Sequence, residues 1–285
     1  MTERRVDEET GVETTGHVWD GIEELNNPLP RWWLWTLYAC IVWAIGYTVL
    51  YPAWPMLSGA TTGVFGYSTR GAVAAEIAAH DAQNATLTAD LVAADLSALT
   101  AGDPLHRYGV ARGSAVFRAN CSQCHGSGAA GAPGYPNLLD DDWLWGGDVA
   151  AIAQTVAHGI RNDTDPDARW SQMPAFGDIL NPEEIGSVVA HVASLSATDA
   201  IPDAAGAVLF SENCAACHGD AGLGNRDMGA PNLADAIWLY GGDTDSLTQT
   251  VTQARFGIMP PLGQRLTDAD VAAVALYVHG LGGGE

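Results

Sequence analysis

Two cysteine pairs of identical spacing are the residues best suited to chemistry. Each pair has the form C-x-x-C and is followed directly by histidine. The residues are Cys121, Cys124 and His125, and again Cys214, Cys217 and His218. This pattern is the signal for covalent attachment of c-type haem, in which two thiols add to the porphyrin's vinyl groups and the histidine becomes the proximal iron ligand. We therefore predict two haem c groups.

Two other chemistries use closely spaced cysteines. A redox C-x-x-C pair needs a thioredoxin-like βαβ pattern, which this sequence lacks, and a zinc site needs further ligands at matching positions. A disulfide framework is typical of short chains with dense cysteines, unlike the scattered spacing found here. Cys40, the fifth cysteine, lies in an apolar run, and we interpret it as a packing residue.

The haem motifs belong to a tandem repeat. The two motifs match at an offset of 93 residues, P-N-L and W-L-x-G-G-D match at 95, and M-P matches at 86. The fall from 95 to 86 predicts a nine-residue insertion in the first copy, at or near R-N-D-T-D-P-D-A-R-W. We predict two mostly helical cytochrome c domains, residues 109–197 and 198–285.

The distal iron ligand can be predicted from the repeat, because equivalent haems should use equivalent residues. His158, His191 and His279 have no histidine counterpart in the other copy, whereas Met173 and Met259 correspond and each precedes a proline. A thioether opposite imidazole raises the haem potential and favours electron transfer over oxygen chemistry. The sequence leaves two arrangements open, namely ligation within each copy and exchange of the methionines between the two haems.

Other repeated residues have supporting roles in this interpretation. Pro136 and Pro231 follow their histidines by 11 and 13 residues, and a carbonyl there can accept the Nδ1–H of the proximal imidazole. Four repeated aromatic residues are predicted either to wall the haems or to pack in the core. They are Trp143, Trp145, Trp238 and Tyr240.

An uncharged apolar run from Trp32 to Tyr51 is long enough to cross a bilayer as a helix. Its aromatic ends are typical of membrane interfaces, and Pro30 and Pro55 bracket it. A buried core helix would rarely stay charge-free over this length, and a cleaved signal peptide would need a short basic start. We predict a cytoplasmic segment over residues 1–31, a transmembrane helix over 32–54 and a periplasmic linker with helical pieces over 55–108.

The charge balance excludes one class of partner and favours another. The 285 residues carry 34 acids against 12 bases, all of them arginine, for a net charge of −22. This excludes nucleic-acid binding through a basic face. Residues 56–285 hold 26 of the acids and nine of the arginines. Such an acidic field would attract a basic cytochrome, with association rates that fall as salt increases.

The leader D-G-I-E-E-L-N-N-P-L-P-R-W-W, one span and two C-x-x-C-H copies together resemble the dihaem subunit III, of the CcoP or FixP type, of cbb3-type cytochrome c oxidases. The resemblance covers nearly the whole chain. It implies an all-α fold, with one N-terminal transmembrane helix followed by two tandem class I cytochrome c-like domains. It also implies the same cysteines as haem attachment sites and the same axial ligands: His125, Met173, His218 and Met259.

The resemblance further implies an electron carrier in the bacterial inner membrane, with a cytoplasmic N-terminus and periplasmic haem domains. Electrons would come from soluble or membrane-bound cytochrome c, and the partners would include a monohaem cytochrome c subunit. Oxygen reduction with proton translocation would belong to a separate haem–copper catalytic subunit. Two alternatives are a dihaem subunit of another periplasmic redox complex and a dihaem peroxidase or gas sensor, which would need an open or labile iron coordination position.

Overall fold

A computed structural model describes residues 4–196 and 203–284, and the chain divides between Gln83 and Asn84 into two compact units. The helices of the described residues are α1 (Arg31–Leu50), α2 (Thr69–Ala93), α3 (Pro104–Asn120), α4 (Ser122–His125), α5 (Val149–His158), α6 (Pro182–Leu195), α7 (Ala204–Asn213), α8 (Ala215–His218), α9 (Thr244–Gln253) and α10 (Asp268–His279). The strands are β1 (Thr14–Trp19), β2 (Ile22–Leu25), β3 (Pro55–Met56) and β4 (Gly59–Ala60). The mostly helical fold predicted from the sequence is confirmed, with two small hairpins in addition.

Helix α1 carries the predicted membrane span. It is the one helix within residues 4–196 and 203–284 that is long and apolar enough to cross a membrane, and none of its side chains is buried. The helix ends at Leu50, four residues before the predicted end of the span at residue 54. Pro52 accounts for this difference, because the residue before a proline is driven out of helical geometry, and Tyr51 is accordingly extended.

The strands β1 and β2 form an N-terminal hairpin that the sequence analysis did not predict. Trp19 lies opposite Ile22 across the two strands. The turn between them is Asp20–Gly21, and both residues have positive φ, 51° and 86°. An Asp-Gly pair is typical of a type I′ hairpin turn, so the sequence did contain the signal.

The linker predicted to have helical pieces, residues 55–108, contains the 25-residue helix α2. Most of its side chains are exposed, but Leu91 in its last turn is completely buried. The hydroxyl groups of Thr88 and Tyr108 are also hydrogen-bonded, at 2.7 Å. The C-terminal end of α2 therefore belongs to the larger unit, where it packs beside α3.

Two helix crossings of the same kind build the larger unit. Helix α3 crosses α10 at Gly113, where any side chain would overlap the carbonyl group of Ala273. Helix α7 crosses α6 at Gly206, where a side chain would overlap the carbonyl group of Ser187. Gly113 corresponds to Gly206 in the repeat, and Ala273 corresponds to Ser187. The same crossing is thus made twice, each time between one helix from each copy.

The larger unit consequently has two hydrophobic cores, and each combines both copies of the repeat. The first core joins α3 and α5 to α10, with the rings of Phe117 and Tyr277 centred 5.5 Å apart. The second joins α7 and α9 to α6, with the rings of Phe210 and His191 centred 5.3 Å apart. The predicted domain boundaries, 109–197 and 198–285, mark the two copies of the sequence repeat and stay a prediction. The two hydrophobic cores do not follow these boundaries, because each core contains helices from both copies.

Candidate haem sites

Each cysteine pair lies on a single helical turn that follows a longer helix. In the first copy α3 ends as the amide of Cys121 donates to the carbonyl of Phe117, and α4 then forms the turn that holds Cys124 and His125. The amides of Cys124 and His125 both donate to the carbonyl of Cys121, at 3.1 and 3.0 Å. The second copy repeats these two bonds at the same lengths, with both amides donating to Cys214. One turn of helix thus brings both thiols and the imidazole of each motif together.

The two motif histidines are oriented in the same way. The Nδ1 atom of His125 lies 3.1 Å from the carbonyl oxygen of Pro136, and Nδ1 of His218 lies 3.1 Å from that of Pro231. The contact of each histidine with its prolyl carbonyl was predicted, and the structure confirms that contact. Because Nδ1 is occupied, Nε2 is the nitrogen left for a metal. Burial lowers the pKa of both histidines, opposed by the prolyl carbonyl, so the neutral, ligating form is favoured.

The cysteine thiols are unlinked and suit covalent attachment. Cys121 and Cys214 are buried, and no disulfide joins the cysteines of the described residues. Burial, together with the charge of the second cysteine of each pair, raises the pKa of these two thiols to about 11. Cys121 and Cys214 are therefore protonated at neutral pH, unlike the activated cysteine of a redox C-x-x-C pair.

The structure places the two repeated methionines in opposite cores. Met259 packs in the first core, which contains Cys121, whereas Met173 packs in the second core, which contains Cys214. Each methionine therefore lies with the haem motif of the other copy. Of the two arrangements that the sequence left open, this packing fits the exchange of methionines between the haems.

Ile160 and the first residues of the predicted insertion hold the Met259 segment in place. Ile160 pairs with Met259 through two backbone hydrogen bonds, of 3.0 and 3.1 Å. The side chain of Asn162 donates to the carbonyl oxygens of His158 and Met259, at 3.0 and 3.3 Å. Arg161 donates to the carbonyl oxygen of Gly257, at 3.0 Å. Among the described residues no such hydrogen bond is formed by Met173, so packing holds that side chain.

A repeated arginine–aromatic pair is the feature that the sequence analysis missed. Arg169 lies over the ring of Trp145 at 5.5 Å, and Arg255 lies over the ring of Tyr240 at 4.8 Å. The aromatic residues match at the offset of 95 and the arginines at 86, as A-R-W and A-R-F. The signal was hidden because Arg169 falls in the stretch that we assigned to the insertion.

Two polar atoms of the first pair are buried without a partner. The indole Nε1 of Trp145 and the guanidinium Nε of Arg169 form no hydrogen bond within the described part of the chain. Buried donors of this kind are costly unless something accepts from them. A haem propionate would supply an acceptor, so the residues present fit the group that the motifs imply.

Comparison with known proteins agrees with these features. The family model for subunit III of cbb3-type cytochrome c oxidase matches residues 109–192 and 202–278. The chain belongs to this family. A second model, for the N-terminal domain of the cbb3 cytochrome oxidase protein FixP, matches residues 11–58.

Curated members of the family match the chain along nearly its full length. The cbb3-type cytochrome c oxidase subunit CcoP of Cereibacter sphaeroides is 60% identical over 276 residues, which cover 95% of each chain. The subunit FixP of Sinorhizobium medicae is 51% identical over 284 residues, covering 99% of this chain and 98% of the relative. FixP of Rhizobium meliloti is 49% identical over 284 residues, with the same coverage.

Family membership settles the general function. The chain is a cytochrome c subunit of a cbb3-type oxidase, which is an oxidoreductase complex with other subunits. Its cytochrome c domains imply covalently bound haem c. It is membrane-anchored, with α1 as its one candidate spanning helix among the described residues.

Proposed function

We propose that the chain binds two haem c groups and relays electrons within the oxidase. Cys121 and Cys124 would hold the first haem, with His125 as its proximal ligand, and Cys214, Cys217 and His218 would serve the second haem in the same way. The observation that supports two equivalent sites is their matching geometry, including the 3.1 Å contact between histidine and prolyl carbonyl in both copies.

We assign the distal ligands across the repeat, with Met259 opposite His125 and Met173 opposite His218. The observation that carries this assignment is the packing of each methionine in the core that contains the other copy's cysteines. The crossings of α3 with α10 and of α7 with α6 support it independently, because they exchange the whole C-terminal segment of each copy.

The bound haem would supply the one-electron chemistry, and the residues of the chain would set its properties. The prolyl carbonyls orient the proximal imidazoles, and the apolar cores exclude water, which favours electron transfer without ligand exchange. Trp145 and Arg169 would donate to propionates of the first haem, and Tyr240 and Arg255 would form the corresponding cradle of the second. These cations would offset the propionate charge inside the protein.

The electron donor would be a basic cytochrome c, either soluble or membrane-bound. The acidic charge of residues 56–285 supports this, since it would steer a basic protein towards the haem domains. The electrons would pass towards the haem–copper catalytic subunit, with the monohaem cytochrome c subunit as a further partner. Oxygen reduction and proton translocation would take place in that catalytic subunit.

We place the chain in the bacterial inner membrane, with residues 1–31 in the cytoplasm. Residues 109–197 and 198–285 would then be the periplasmic haem-attachment copies, joined to the span by residues 55–108. Support comes from the haem motifs, because c-type attachment occurs on the outer side of this membrane. The position of Arg4, Arg5 and Arg31 before the span is also consistent with the positive-inside rule.

Variants that keep one haem test the ligand assignment. Cys214→Ser/Cys217→Ser keeps the first haem, and Cys121→Ser/Cys124→Ser keeps the second; each is combined with Met173→Ala or Met259→Ala. Exchange predicts that Met259→Ala removes the weak red absorption band of methionine-ligated ferric iron from the first haem only. Loss of that band through Met173→Ala would instead establish ligation within each copy. Stoichiometric carbon monoxide binding to the reduced wild-type protein would favour a peroxidase or sensor.

A further inference from the structure

The N-terminal hairpin is a very small sheet. Beyond β1 and β2 it gains a third short segment, because the amide of Thr14 donates to the carbonyl of Arg5 and the amide of Asp7 to that of Val12. Thr14 is its one buried residue among residues 4–30, at 1% exposure. A two- or three-stranded sheet with almost no core is marginally stable in water. We therefore expect the hairpin to be stabilised by packing against another surface.

An apolar pair lies exposed beside the turn of this hairpin. Trp19 and Ile22 face each other across the strands and are 64% and 73% exposed. The indole N–H donates to the carboxylate of Glu24 at 2.9 Å, and the ring of His17 lies edge-on to the indole at 6.4 Å. The tryptophan is thus fixed before any partner arrives. An exposed aromatic side chain held in one position is typical of the anchor residue of a protein interface.

The charge around this pair points to the kind of partner. Residues 1–30 carry eight acids and two arginines, a net charge of −6. Anionic lipid headgroups would repel such a segment. The cytoplasmic loops of integral-membrane proteins, in contrast, carry an excess of lysine and arginine. An acidic segment that carries an exposed apolar pair therefore complements a basic loop surface with an apolar hollow.

The connection to the membrane helix limits where this partner lies. Only residues 26–30 separate β2 from α1, and two of the five are proline. A chain of this length spans at most about 20 Å, and proline stiffens it. The exposed pair is consequently confined to the membrane surface on the side of the N-terminus.

We propose that Trp19 and Ile22 dock the hairpin onto basic cytoplasmic loops of an integral-membrane subunit of the same oxidase. This rests on the cytoplasmic N-terminus given under Proposed function. The contact would fix the subunit to its complex from the cytoplasmic side, independently of the haem domains and of the face that α1 presents to its neighbours.

The test compares two double variants of the full chain in the complete oxidase. Trp19→Ala/Ile22→Ala removes the anchor, whereas Leu57→Ala/Val64→Ala removes two other highly exposed apolar side chains, beyond the other end of α1. After mild detergent extraction, we expect the anchor variant to retain the catalytic subunit about tenfold less well than wild type. The control variant should retain it normally, and haem content should be unchanged in both.

A charge variant addresses the case in which the anchor variant fails to fold. Glu8→Gln/Glu9→Gln alters two exposed acids that form no hydrogen bond within residues 4–196 and 203–284. We expect weaker retention at low salt and a smaller difference from wild type at high salt, because screening removes the attraction. Retention equal to wild type for both hairpin variants at every salt concentration overturns the proposal.

Two further outcomes separate this proposal from its alternatives. If wild-type protein binds vesicles of anionic lipid, and Trp19→Ala/Ile22→Ala abolishes that binding without changing subunit retention, the patch contacts lipid and the docking proposal is wrong. Asp20→Cys, treated in intact cells with a maleimide that cannot cross the inner membrane, tests the topology. Labelling there overturns the cytoplasmic placement and the docking together, whereas protection with normal retention in both hairpin variants overturns docking alone.

Discussion

Met259 is joined to Ile160 by two backbone hydrogen bonds, of 3.0 and 3.1 Å, although the two residues belong to different copies of the repeat. A methionine ligand is a weak ligand for iron compared with imidazole, so the backbone that carries it needs a fixed position. The backbone pairing with Ile160 supplies that position. We expect the first haem to keep its methionine more firmly than the second, where Met173 has no equivalent bonds among the described residues.

Loss of the Asn162 side-chain hydrogen bonds should let added ligands compete more easily for the iron of the first haem. Asn162→Ala loses the hydrogen bonds to the carbonyl oxygens of His158 and Met259. Each such bond contributes about 0.5–1.5 kcal/mol, so the affinity of the first haem for added imidazole should rise about two- to tenfold. Titration of the ferric protein by absorption measures this. Asp163→Asn changes an exposed residue of the same loop and should leave the affinity unaltered. Equal imidazole affinities in the wild type and both variants would show that the Asn162 hydrogen bonds do not hold Met259 on the iron.

Loss of the distal sulfur should lower the potential of one haem. With Met259→His the first haem would become bis-histidine, and its potential should fall by on the order of 0.1 V or more, within the range of about 0.8 V over which axial ligands tune haem. The second haem should keep its value. Redox titration of the protein that retains both haems measures the two steps. A shift confined to the haem at Cys214 would contradict the exchanged arrangement.

Both helix crossings should be destabilised by a glycine-to-alanine substitution that an open position of the same helices tolerates. Gly113→Ala and Gly206→Ala each force a methyl group into a backbone carbonyl of the facing helix, and overpacking of this kind costs about 1–3 kcal/mol. Gly186→Ala, in helix α6, meets open space and should be neutral or stabilise by up to about 1 kcal/mol. Denaturant unfolding monitored at the haem absorption measures all three. Equal stability of the Gly113→Ala and Gly186→Ala proteins would mean that α3 and α10 do not pack closely.

The carboxyl group of Asp142 should make stability depend on pH. Burial, together with the charges of Asp235, Asp140 and Asp141, raises its pKa to about 6. In the unfolded chain the group ionises near pH 4, so at pH 7 its charge favours unfolding, and this cost disappears as pH falls through 6 towards 4. After allowance for solvent screening the cost is roughly 1–2 kcal/mol.

Asp142→Asn should therefore raise the free energy of unfolding at pH 7 by about that amount and leave it unchanged near pH 4. Unfolding in guanidinium at a series of pH values measures the effect. The matched control is Asp163→Asn, which removes an exposed charge that does not contribute to the pKa shift of Asp142. The interpretation fails if both variants change stability equally across the whole range.

Parts of the site that are close together in the sequence could be predicted, whereas contacts between distant residues could not. The C-x-x-C-H motifs are local, since one helical turn sets their geometry, and Pro136 and Pro231 could be found because the repeat aligns them. The exchange of C-terminal helices between the two copies could not be predicted from local motifs or from the alignment of the repeat. Gly113 packs on Ala273 and would meet the corresponding Ser187 in the unexchanged arrangement, so both arrangements bury residues of similar size. Local patterns cannot distinguish two partners that the repeat itself makes interchangeable.

The exchanged packing also sets an order of assembly. The second core is built from a continuous stretch, α6 to α9, whereas the first needs α10, and its ion pair of Arg112 with Asp270 joins residues 158 positions apart. As the chain leaves the ribosome from its N-terminus, the first cysteine pair emerges early yet waits for almost all of the remaining synthesis. During that interval the first haem would lack its proposed ligand Met259, whereas the second haem could be completed earlier.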